Sequence, residues 1–286
     1  MNILSIQSSV AYGHVGNSAA VFPLQRLGHE VWPINTVQFS NHTGYGRWRG
    51  EVFPASHLAD VLQGIDDRGA FQECQAVLSG YLGDAAIGHV VLDAVGRMRK
   101  GNPRTLYCCD PVMGDEGRGV FVRPDIPQFF IEQALPAADV ITPNQFELEL
   151  LTGVAVVSLA DAVAAARALC ARGPSIVAVT SLRAPAVAAG RLGSMVATKE
   201  GAWLVDTPLL DFPILPNGAG DVFAALLLGH LLDGAGPAAA LEKTVSGLYG
   251  LLNHTLSAGK RELALVAAQE ELVRPSQRYQ AKQIDP

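Results

Sequence analysis

The most informative segment of this chain is Asn217-Gly218-Ala219-Gly220-Asp221, which leads directly into the apolar run Val222-Phe223-Ala224-Ala225-Leu226-Leu227-Leu228. Small residues let backbone N–H groups approach an anion closely. A helix that begins here adds partial positive charge through its first unpaired N–H groups. The segment therefore predicts a phosphate cradle that ends in a carboxylate able to take a proton from an attacking hydroxyl. Taken alone, it also fits an ordinary loop in which Asp221 caps the helix.

Short apolar segments rich in β-branched residues alternate with helical patterns along the rest of the chain. The candidate strands are residues 2–7, 30–37, 76–79, 105–109, 139–142, 176–180, 194–198 and 202–206. The candidate helices are residues 16–27, 56–68, 85–100, 144–151, 159–172, 219–233, 237–253 and 262–271. This alternation predicts an α/β fold with a mostly parallel central sheet and helices on both faces. The last two strands, separated by Lys199-Glu200-Gly201, are predicted to form an antiparallel hairpin.

The length and composition favour one globular domain. The chain has 286 residues, 49% of them hydrophobic and 17% charged, and no repeat or linker divides it. We therefore expect a single domain over residues 1–286. The net charge of −6 and the lack of a basic stripe argue against nucleic-acid binding.

The N-terminus and the cysteines indicate the compartment. The first residues lack a basic region and a cleavage site, and no apolar run reaches membrane-spanning length, so we expect a soluble cytoplasmic protein without a membrane partner. Cys74, Cys108, Cys109 and Cys170 have no metal-ligand spacing and are expected to be buried free thiols. Cys108 and Cys109 are adjacent in a strand, so their side chains are predicted to point to opposite faces.

Polar and glycine-rich turns follow the predicted strands. In sheets of this kind, ligands bind beyond the carboxyl ends of the strands. The turns are residues 7–9, 38–46, 80–83, 110–114, 143–147, 180–181 and 218–221. They are far apart in sequence, yet they are predicted to converge on one edge of the sheet.

Two carboxylates in these turns each have two interpretations. Asn144-x-x-Glu147 is the pattern of a capping box, which closes a helix start without further function. Glu147 also suits a phosphate-bound Mg²⁺, contacted directly or through water, and one residue can serve both roles. Asp110 precedes Pro111, which is typical of a turn, but a carboxylate at the end of a parallel strand is also well placed to hold metal.

Three further loop features have a structural and a functional interpretation. His42 is either a hydrogen-bonding residue or an acid–base group, and the neighbouring Thr43 is suited to bind a substrate hydroxyl. Tyr81 fits a half-buried core residue or a platform for an aromatic substrate. Residues 115–119 fit a solvated turn or a flexible flap, in which Arg118 contacts phosphate.

Several of these segments occur together in the order of a known family. They are Gln7-Ser8, Gly16-Asn17-Ser18-Ala19-Ala20, Asn35-Thr36-Val37-Gln38-Phe39-Ser40-Asn41-His42-Thr43-Gly44-Tyr45, Leu78-Ser79-Gly80-Tyr81-Leu82, Cys109-Asp110-Pro111-Val112-Met113-Gly114, Pro143-Asn144-x-x-Glu147 and Gly218-Ala219-Gly220-Asp221. Over essentially its whole length the chain resembles the pyridoxal kinases, a branch of the ribokinase-like superfamily. The bacterial pyridoxal/pyridoxamine kinase subgroup is the most similar, given Val31-Trp32-Pro33 and the spacing throughout.

The resemblance implies an enzyme that uses ATP and Mg²⁺ to phosphorylate the 5′-hydroxymethyl group of pyridoxal, with pyridoxamine and pyridoxine as further substrates. It implies a ribokinase-like fold and a homodimer. Carried over by residue, Asp221 is the general base and Gly218, Ala219 and Gly220 form the anion hole. The substrate contacts implied are Ser8, Thr43, Gly44, Tyr81 and Asp221. The nucleotide contacts implied are Asp110, Thr142, Glu147, Thr180, Thr207, Pro208, Leu209 and Leu210, and the carboxylates of Asp110 and Glu147 are implied near Mg²⁺, directly or through water.

The chain departs from the bacterial subgroup at two positions near the nucleotide. Thr180 stands where a lysine is frequent, and Thr207 stands where an arginine is common. A hydroxyl adds no positive charge near the phosphates, so we expect weaker ATP binding than in those relatives.

Two other functions stay open at this stage. One is a hydroxymethylpyrimidine kinase, which shares the fold and the hydroxymethyl chemistry. The other is a non-catalytic pyridoxal-binding protein on the same scaffold. Asp221 argues against the binding protein, and residues 35–45 with Gly80-Tyr81 argue against the pyrimidine kinase.

Overall fold

A ten-stranded sheet forms the centre of the computed structural model, which describes residues 1–183 and 185–285. Its strands are β1 (Asn2–Tyr12), β2 (Glu30–Asn41), β3 (Gly50–Val52), β4 (Ala76–Ser79), β5 (Leu106–Cys109), β8 (Val140–Ile141), β9 (Ile176–Leu182), β10 (Arg191–Ala197), β11 (Ala202–Pro208) and β12 (Lys282–Asp285). A separate small hairpin consists of β6 (Gly114–Asp115) and β7 (Gly119–Val120).

The strand order places parallel strands in the middle and antiparallel strands at the edges. The order is β12-β11-β10-β9-β8-β5-β4-β1-β2-β3. The six strands from β9 to β2 in this order are mutually parallel, so their carboxyl ends share one edge. The pairs at the two ends, β2–β3 and β9 through β12, are antiparallel.

Helices cover both faces of the sheet. They are α1 (Asn17–Arg26), α2 (Ala55–Asp66), α3 (Ala85–Gly101), α4 (Ile126–Phe129), α5 (Leu135–Ala137), α6 (Gln145–Thr152), α7 (Leu159–Cys170), α8 (Ala219–Leu232) and α9 (Pro237–Ser257). One core packs α2, α3, α6 and α7 against the sheet, and the opposite core packs α1, α8 and α9. Adjacent strand residues separate accordingly, since Cys109 belongs to the first core and Cys108 to the second.

Helix α8 is the buried helix that carries the glycine-rich segment. Its residues from Val222 to His230 are all buried, because α8 lies between α1 and α9 as well as over the sheet. A helix that is apolar on every side is stable only in such an enclosed position. Its start is therefore fixed relative to the sheet, which holds Asp221 at a defined place.

The predicted architecture is confirmed. The sheet is mostly parallel with helices on both faces, and each of the eight candidate strands overlaps an observed one. The late hairpin is antiparallel, with Ala197 paired to Ala202. All four cysteines are free and buried, as expected. Within residues 1–183 and 185–285, every helix is too short or too polar to span a lipid bilayer.

Two predictions about local structure are wrong. Residues 7–9 and 38–41 are not turns, because β1 and β2 continue side by side as far as Tyr12 and Asn41, with an irregular register between Gln7 and Ser9. Residues 262–271 are not an α-helix, and only Gln269–Leu272 form a short 3₁₀ turn. Leu263, Ala264 and Leu265 are all buried, which three successive residues of a one-sided surface helix cannot be.

Other elements were not anticipated from the sequence. They are β3, the β6–β7 hairpin, β12 and the helical stretch in which a π-turn (Phe130–Ala134) joins α4 to α5. The strands among them have two to four residues, too few to show an alternation of apolar and polar positions.

Candidate active site

The glycine-rich segment forms the start of α8 and leaves its backbone donors free. Gly218 is the N-cap residue with φ of 90°, and a Cβ there would lie 1.9 Å from the carbonyl oxygen of His14. No side chain caps the helix, and a Cβ built on Gly220 would meet no atom within 4 Å. The first N–H groups of a helix lack intrahelical acceptors, so those of Ala219 and Gly220 are available to an anion.

Asp221 lies in the first turn of α8 rather than at its cap, so its interpretation as a helix cap is wrong. Desolvation raises the pKa of its carboxyl to about 6, although the N–H groups of Gly16 and of Asp221 itself lower it. Among the described residues, no cation forms a salt bridge with it. The group is therefore largely ionised at neutral pH and can accept a proton.

Gly16 lies between Ser8 and Asp221 and contacts both residues. A Cβ on Gly16 would lie 2.4 Å from the Ser8 hydroxyl oxygen, and the Gly16 N–H is the backbone group that lowers the pKa of Asp221. Below this contact, Asn17 accepts a hydrogen bond from Ser5 Oγ at 2.7 Å and donates to Asn35 Oδ1 at 2.9 Å. These buried bonds fix the loop that carries Gly16.

Tyr81 is half-buried against a small apolar cluster. Its ring packs against the buried cluster of Val10, Val15, Val37 and Phe39, and its backbone oxygen accepts a 2.7 Å hydrogen bond from Thr36 Oγ1. Burial raises the pKa of the Tyr81 hydroxyl, so this group stays protonated as a hydrogen-bond donor. A half-buried aromatic ring of this kind suits an aromatic ligand.

Thr43 and Gly44 lie in a 3₁₀ turn, Thr43–Tyr45, beside the glycine segment. The turn is capped by the His42 side chain, whose Nδ1 accepts a hydrogen bond from the Gly44 N–H at 3.1 Å. A Cβ on Gly44 would lie 3.8 Å from Asn217 Nδ2, which places the turn next to the cradle. Burial, with the charge of Arg118, lowers the pKa of His42, so its ring is neutral at pH 7.

Asp110 lies near enough to two carboxyl groups from distant segments for their charges to act on it. Asp110 follows β5, and its Oδ1 accepts a hydrogen bond from Thr142 Oγ1 at 2.9 Å. Burial raises the pKa of Asp110 well above its ordinary value, and the negative charges of Glu147 and Asp221 raise it further. This repulsion on Asp110 favours a cation beside it.

Glu147 completes the predicted capping box, which is confirmed at the start of α6. Its Oε2 accepts from the Asn144 N–H at 2.9 Å, and its Oε1 accepts from the Met113 N–H at 2.9 Å. Burial raises its pKa to about 7 despite these donors. Its metal role stays a prediction, because no group of three or more His, Cys, Asp or Glu side chains in residues 1–183 and 185–285 has metal-holding geometry.

The charged segment after Asp110 is the β6–β7 hairpin. Arg118 forms a 2.5 Å ion pair with Asp115 in the same hairpin, and its guanidinium lies 4.8 Å from the centre of the Phe121 ring. Arg118 and Asp115 both act on the pKa of His42, so the hairpin tip lies near the turn that carries Thr43. The hairpin thus borders the site, and its movement as a flap stays a prediction.

The remaining nucleotide-site candidates lie further along the same sheet edge. Thr180 ends the regular part of β9, where its N–H donates to the Pro143 carbonyl at 2.9 Å, and Ser181 has a φ of 60°. Thr207 and Pro208 end β11, followed by exposed Leu209 and by Leu210. Because β11 is four strands from β5, this segment lies about 19 Å from Asp110 and does not join the carboxylates.

Three residues at the site were not predicted from the sequence. Gly16 contacts Ser8 and Asp221, His14 backs Gly218, and Glu262 binds the backbone of His14. The left-handed backbone that only glycine tolerates at Gly218 gives a local signal, but the partners of Glu262 lie more than 200 residues away.

Known proteins match the chain over its length. A family model described as phosphomethylpyrimidine kinase matches residues 61–265. A pyridoxal kinase PdxY from Rubrobacter xylanophilus is 61% identical over 285 residues, which cover 99% of this chain and 98% of that protein. A second, from Deinococcus radiodurans, is 54% identical and covers 99% of this chain and 97% of that protein.

A solved structure is similar to this chain in fold. The pyridoxal kinase from Leishmania donovani in complex with ADP and pyridoxine superposes with a TM-score of 0.92 at 30% identity, covering 99% of both chains. The identities, the coverage and the ribokinase-like sheet agree on one assignment. The chain belongs to the pyridoxal kinase family.

Proposed function

We propose that this chain transfers the terminal phosphoryl group of ATP to the 5′-hydroxymethyl group of pyridoxal. One observation carries the proposal: the ionisable Asp221 carboxyl lies beside free N–H groups at the start of α8. Phosphoryl transfer depends on positioning and charge stabilisation more than on covalent chemistry. The site offers both within one helical turn.

The proton and the developing charge go to different groups of this turn. Asp221 takes the proton of the acceptor hydroxyl while the hydroxyl oxygen attacks the phosphorus atom. The N–H groups of Ala219 and Gly220 donate to the phosphoryl oxygens as negative charge spreads over them. The bond to the leaving ADP oxygen breaks, and the phosphorylated alcohol and ADP are the products.

The acceptor is proposed to lie between Ser8, Tyr81 and the Thr43–Tyr45 turn. The Tyr81 ring provides a flat apolar surface for the pyridine, and Ser8, Thr43 and Gly44 provide hydrogen-bonding groups around it. The Leishmania donovani relative was solved with ADP and pyridoxine and, in a separate structure, with ADP and pyridoxamine. Both complexes support pyridoxine and pyridoxamine as further substrates.

The nucleotide is proposed to extend from Asp110 along the carboxyl edge of the sheet. Thr142 and Thr180 lie near the ends of the neighbouring strands β8 and β9, and Glu147 lies in the first turn of α6. Thr207, Pro208, Leu209 and Leu210 follow about 19 Å from Asp110. An extended ligand fits this spread better than a compact one.

The carboxyl cluster fits Mg²⁺, which proteins hold with one or two carboxylates plus phosphate oxygens and water. Asp110 is proposed to contact the ion and Glu147 to face it through water, since backbone N–H groups already occupy both Glu147 oxygens. The bound ion supplies charge neutralisation on the phosphates. The negative charges of Glu147 and Asp221, which raise the pKa of the buried Asp110, support a cation here.

The test is an ADP-release assay with pyridoxal, pyridoxamine and hydroxymethylpyrimidine as separate acceptors. Turnover with pyridoxal above the other two supports the proposal. Preference for hydroxymethylpyrimidine would support the pyrimidine kinase instead. Pyridoxal binding without ADP release would indicate the non-catalytic protein.

We also propose a single kinase domain over residues 1–286, a homodimer and a cytoplasmic location. The single sheet supports the first proposal, because its strands run from β1 at Asn2 to β12 at Asp285. Sedimentation of the purified protein tests the second, and fractionation of the source cells tests the third.

A further inference from the structure

Glu262 joins two loops that border the glycine segment of the candidate active site. Its Oε1 accepts a hydrogen bond from the Tyr45 hydroxyl at 2.5 Å, and its Oε2 accepts from the His14 N–H at 3.2 Å. The same carboxylate fills the space beside Gly13, where a Cβ would lie 2.1 Å from Oε2. One side chain therefore fixes both the turn that carries Thr43 and the loop that backs Gly218.

Arg261 secures the same turn from a second direction. Its guanidinium carbon lies 3.6 Å from the centre of the Tyr45 ring, and its NH2 group donates to the Gly44 carbonyl at 3.3 Å. Cation–π contacts of this kind are favourable when the ring face is accessible. Arg261 and Glu262 together are called the latch below.

Apart from the latch, the turn is held by the His42 cap on the Gly44 N–H and by an edge contact between the Tyr12 and Tyr45 rings. None of the residues of the Thr43–Tyr45 turn is buried, so no apolar core fixes its position. A short 3₁₀ turn of this kind depends on the side chains that bind it. The His14 carbonyl, in turn, lies where a Cβ on Gly218 would be, so the latch also borders the cradle.

We infer that the latch positions the acceptor alcohol, by holding the Thr43–Tyr45 turn against the glycine segment. Arg261 and Glu262 are positioning residues, because they reach the site only through Tyr45, Gly44 and His14. The inference rests on the proposed function, since it concerns the acceptor side of that same site. Its consequence is that loss of the latch weakens acceptor binding while nucleotide binding persists.

The first test compares Glu262→Gln with Glu270→Gln. Glutamine removes the negative charge, so the charge-assisted hydrogen bond from the Tyr45 hydroxyl is lost and only a weaker neutral one can replace it. We expect the KM for pyridoxal to rise roughly tenfold, the factor that corresponds to one lost positioning contact, with the KM for ATP within about twofold. Glu270 is the matched control, because it lies on the same C-terminal segment in an exposed pair with Arg26.

The second test uses Tyr45→Phe alone and combined with Glu262→Gln. If the two side chains act as one unit, the effect of Glu262→Gln on the KM for pyridoxal shrinks in the phenylalanine background. A general loss of structure would instead add to both variants. Equilibrium binding of pyridoxal without ATP supplies a readout independent of turnover, and its Kd is expected to rise with the KM.

The outcomes separate the inference from the proposed function. A wild-type protein without activity on pyridoxal refutes the proposed function and, with it, this inference. An active wild type whose Glu262→Gln variant matches Glu270→Gln in the KM for pyridoxal refutes the inference alone. Equal rises in both KM values also overturn it, because a positioning role on the acceptor side leaves ATP unaffected. If Glu262→Gln fails to fold, an unchanged KM in Tyr45→Phe refutes it.

Discussion

Replacing Asp221 with asparagine is expected to lower turnover while raising stability. Asn keeps the size of the side chain but cannot accept the hydroxyl proton. Loss of a general base costs on the order of 10²–10⁴ in kcat. In the wild type, a pKa of about 6 leaves about nine-tenths of Asp221 ionised at pH 7 and about one-tenth at pH 5. Wild-type kcat/KM is therefore expected to fall about tenfold from pH 7 to pH 5, and the variant is expected to lack this step.

The same carboxyl destabilises the folded chain at neutral pH. Its pKa rises from 3.8 to about 6, so the folded state binds the proton more tightly than the unfolded state. Stability is therefore lost as pH rises from 3.8 through 6, and the whole cost is present above pH 6. A shift of this size corresponds to about 3 kcal/mol, which partial exposure of the residue reduces to about 1–2 kcal/mol. Asp221→Asn is expected to recover this free energy and to raise Tm by several degrees.

Both effects are measured on one preparation. Initial rates of ADP release at varied pyridoxal and saturating ATP give kcat and kcat/KM between pH 5 and 8, and urea unfolding gives the free energy at pH 7. Asp60→Asn, at an exposed position on α2, is the control for loss of a carboxylate away from the site. Near-wild-type kcat in Asp221→Asn would remove this residue as the base. A less stable variant would show that the folded protein does not strain this carboxyl.

Three further variants test neighbouring parts of the site. Gly218→Ala places a Cβ 1.9 Å from the His14 carbonyl oxygen at a φ of 90°. We therefore expect a loss of about 1–3 kcal/mol in the free energy of urea unfolding and a lower kcat. Wild-type values for both would contradict the geometry. Glu147→Gln leaves one of its two backbone donors, Asn144 or Met113, without a carboxylate oxygen, and is expected to cost about 1–3 kcal/mol of stability and to raise the KM for ATP; an unchanged urea midpoint would speak against this role. Thr180→Lys adds a cation at the nucleotide edge and is expected to lower the KM for ATP about fivefold, the factor for roughly 1 kcal/mol; an equal or higher KM would show that a lysine here cannot reach the phosphates.

The parts of the fold that repeat a pattern were predictable from the sequence. Buried parallel strands are continuous apolar runs, and the helices between them show helical spacing, so the sheet and its two helix layers follow from local sequence. The extension of β1 beyond Gln7 was not predictable, because Ser8 and Ser9 are polar residues whose strand conformation comes from pairing with β2. Short edge strands such as β12 depend in the same way on a partner that the local sequence does not reveal.

The residues of the site also differ in whether the local sequence reveals their role. Gly218 and Asp221 carry their own signals, since a positive φ demands glycine and a carboxylate at a helix start is conspicuous. Glu147 shows why one motif does not settle a role, because the capping box is present and the same side chain also binds the loop at Met113. Glu262 had no local signal, and the helix predicted over residues 262–271 concealed the contacts that this segment makes.

The burial of the four thiols has a practical consequence. Cys108 and Cys109 are adjacent on β5 but belong to cores on opposite sides of the sheet, and both are fully buried. Burial also raises the pKa of both groups, so little thiolate is present at neutral pH. An alkylating reagent can reach each sulfur atom only when the core around it opens. The rate of labelling at each cysteine therefore measures how often that core opens. Mass spectrometry of the two modified cysteines would then show whether the two cores open together or one before the other. The measurement needs no mutation.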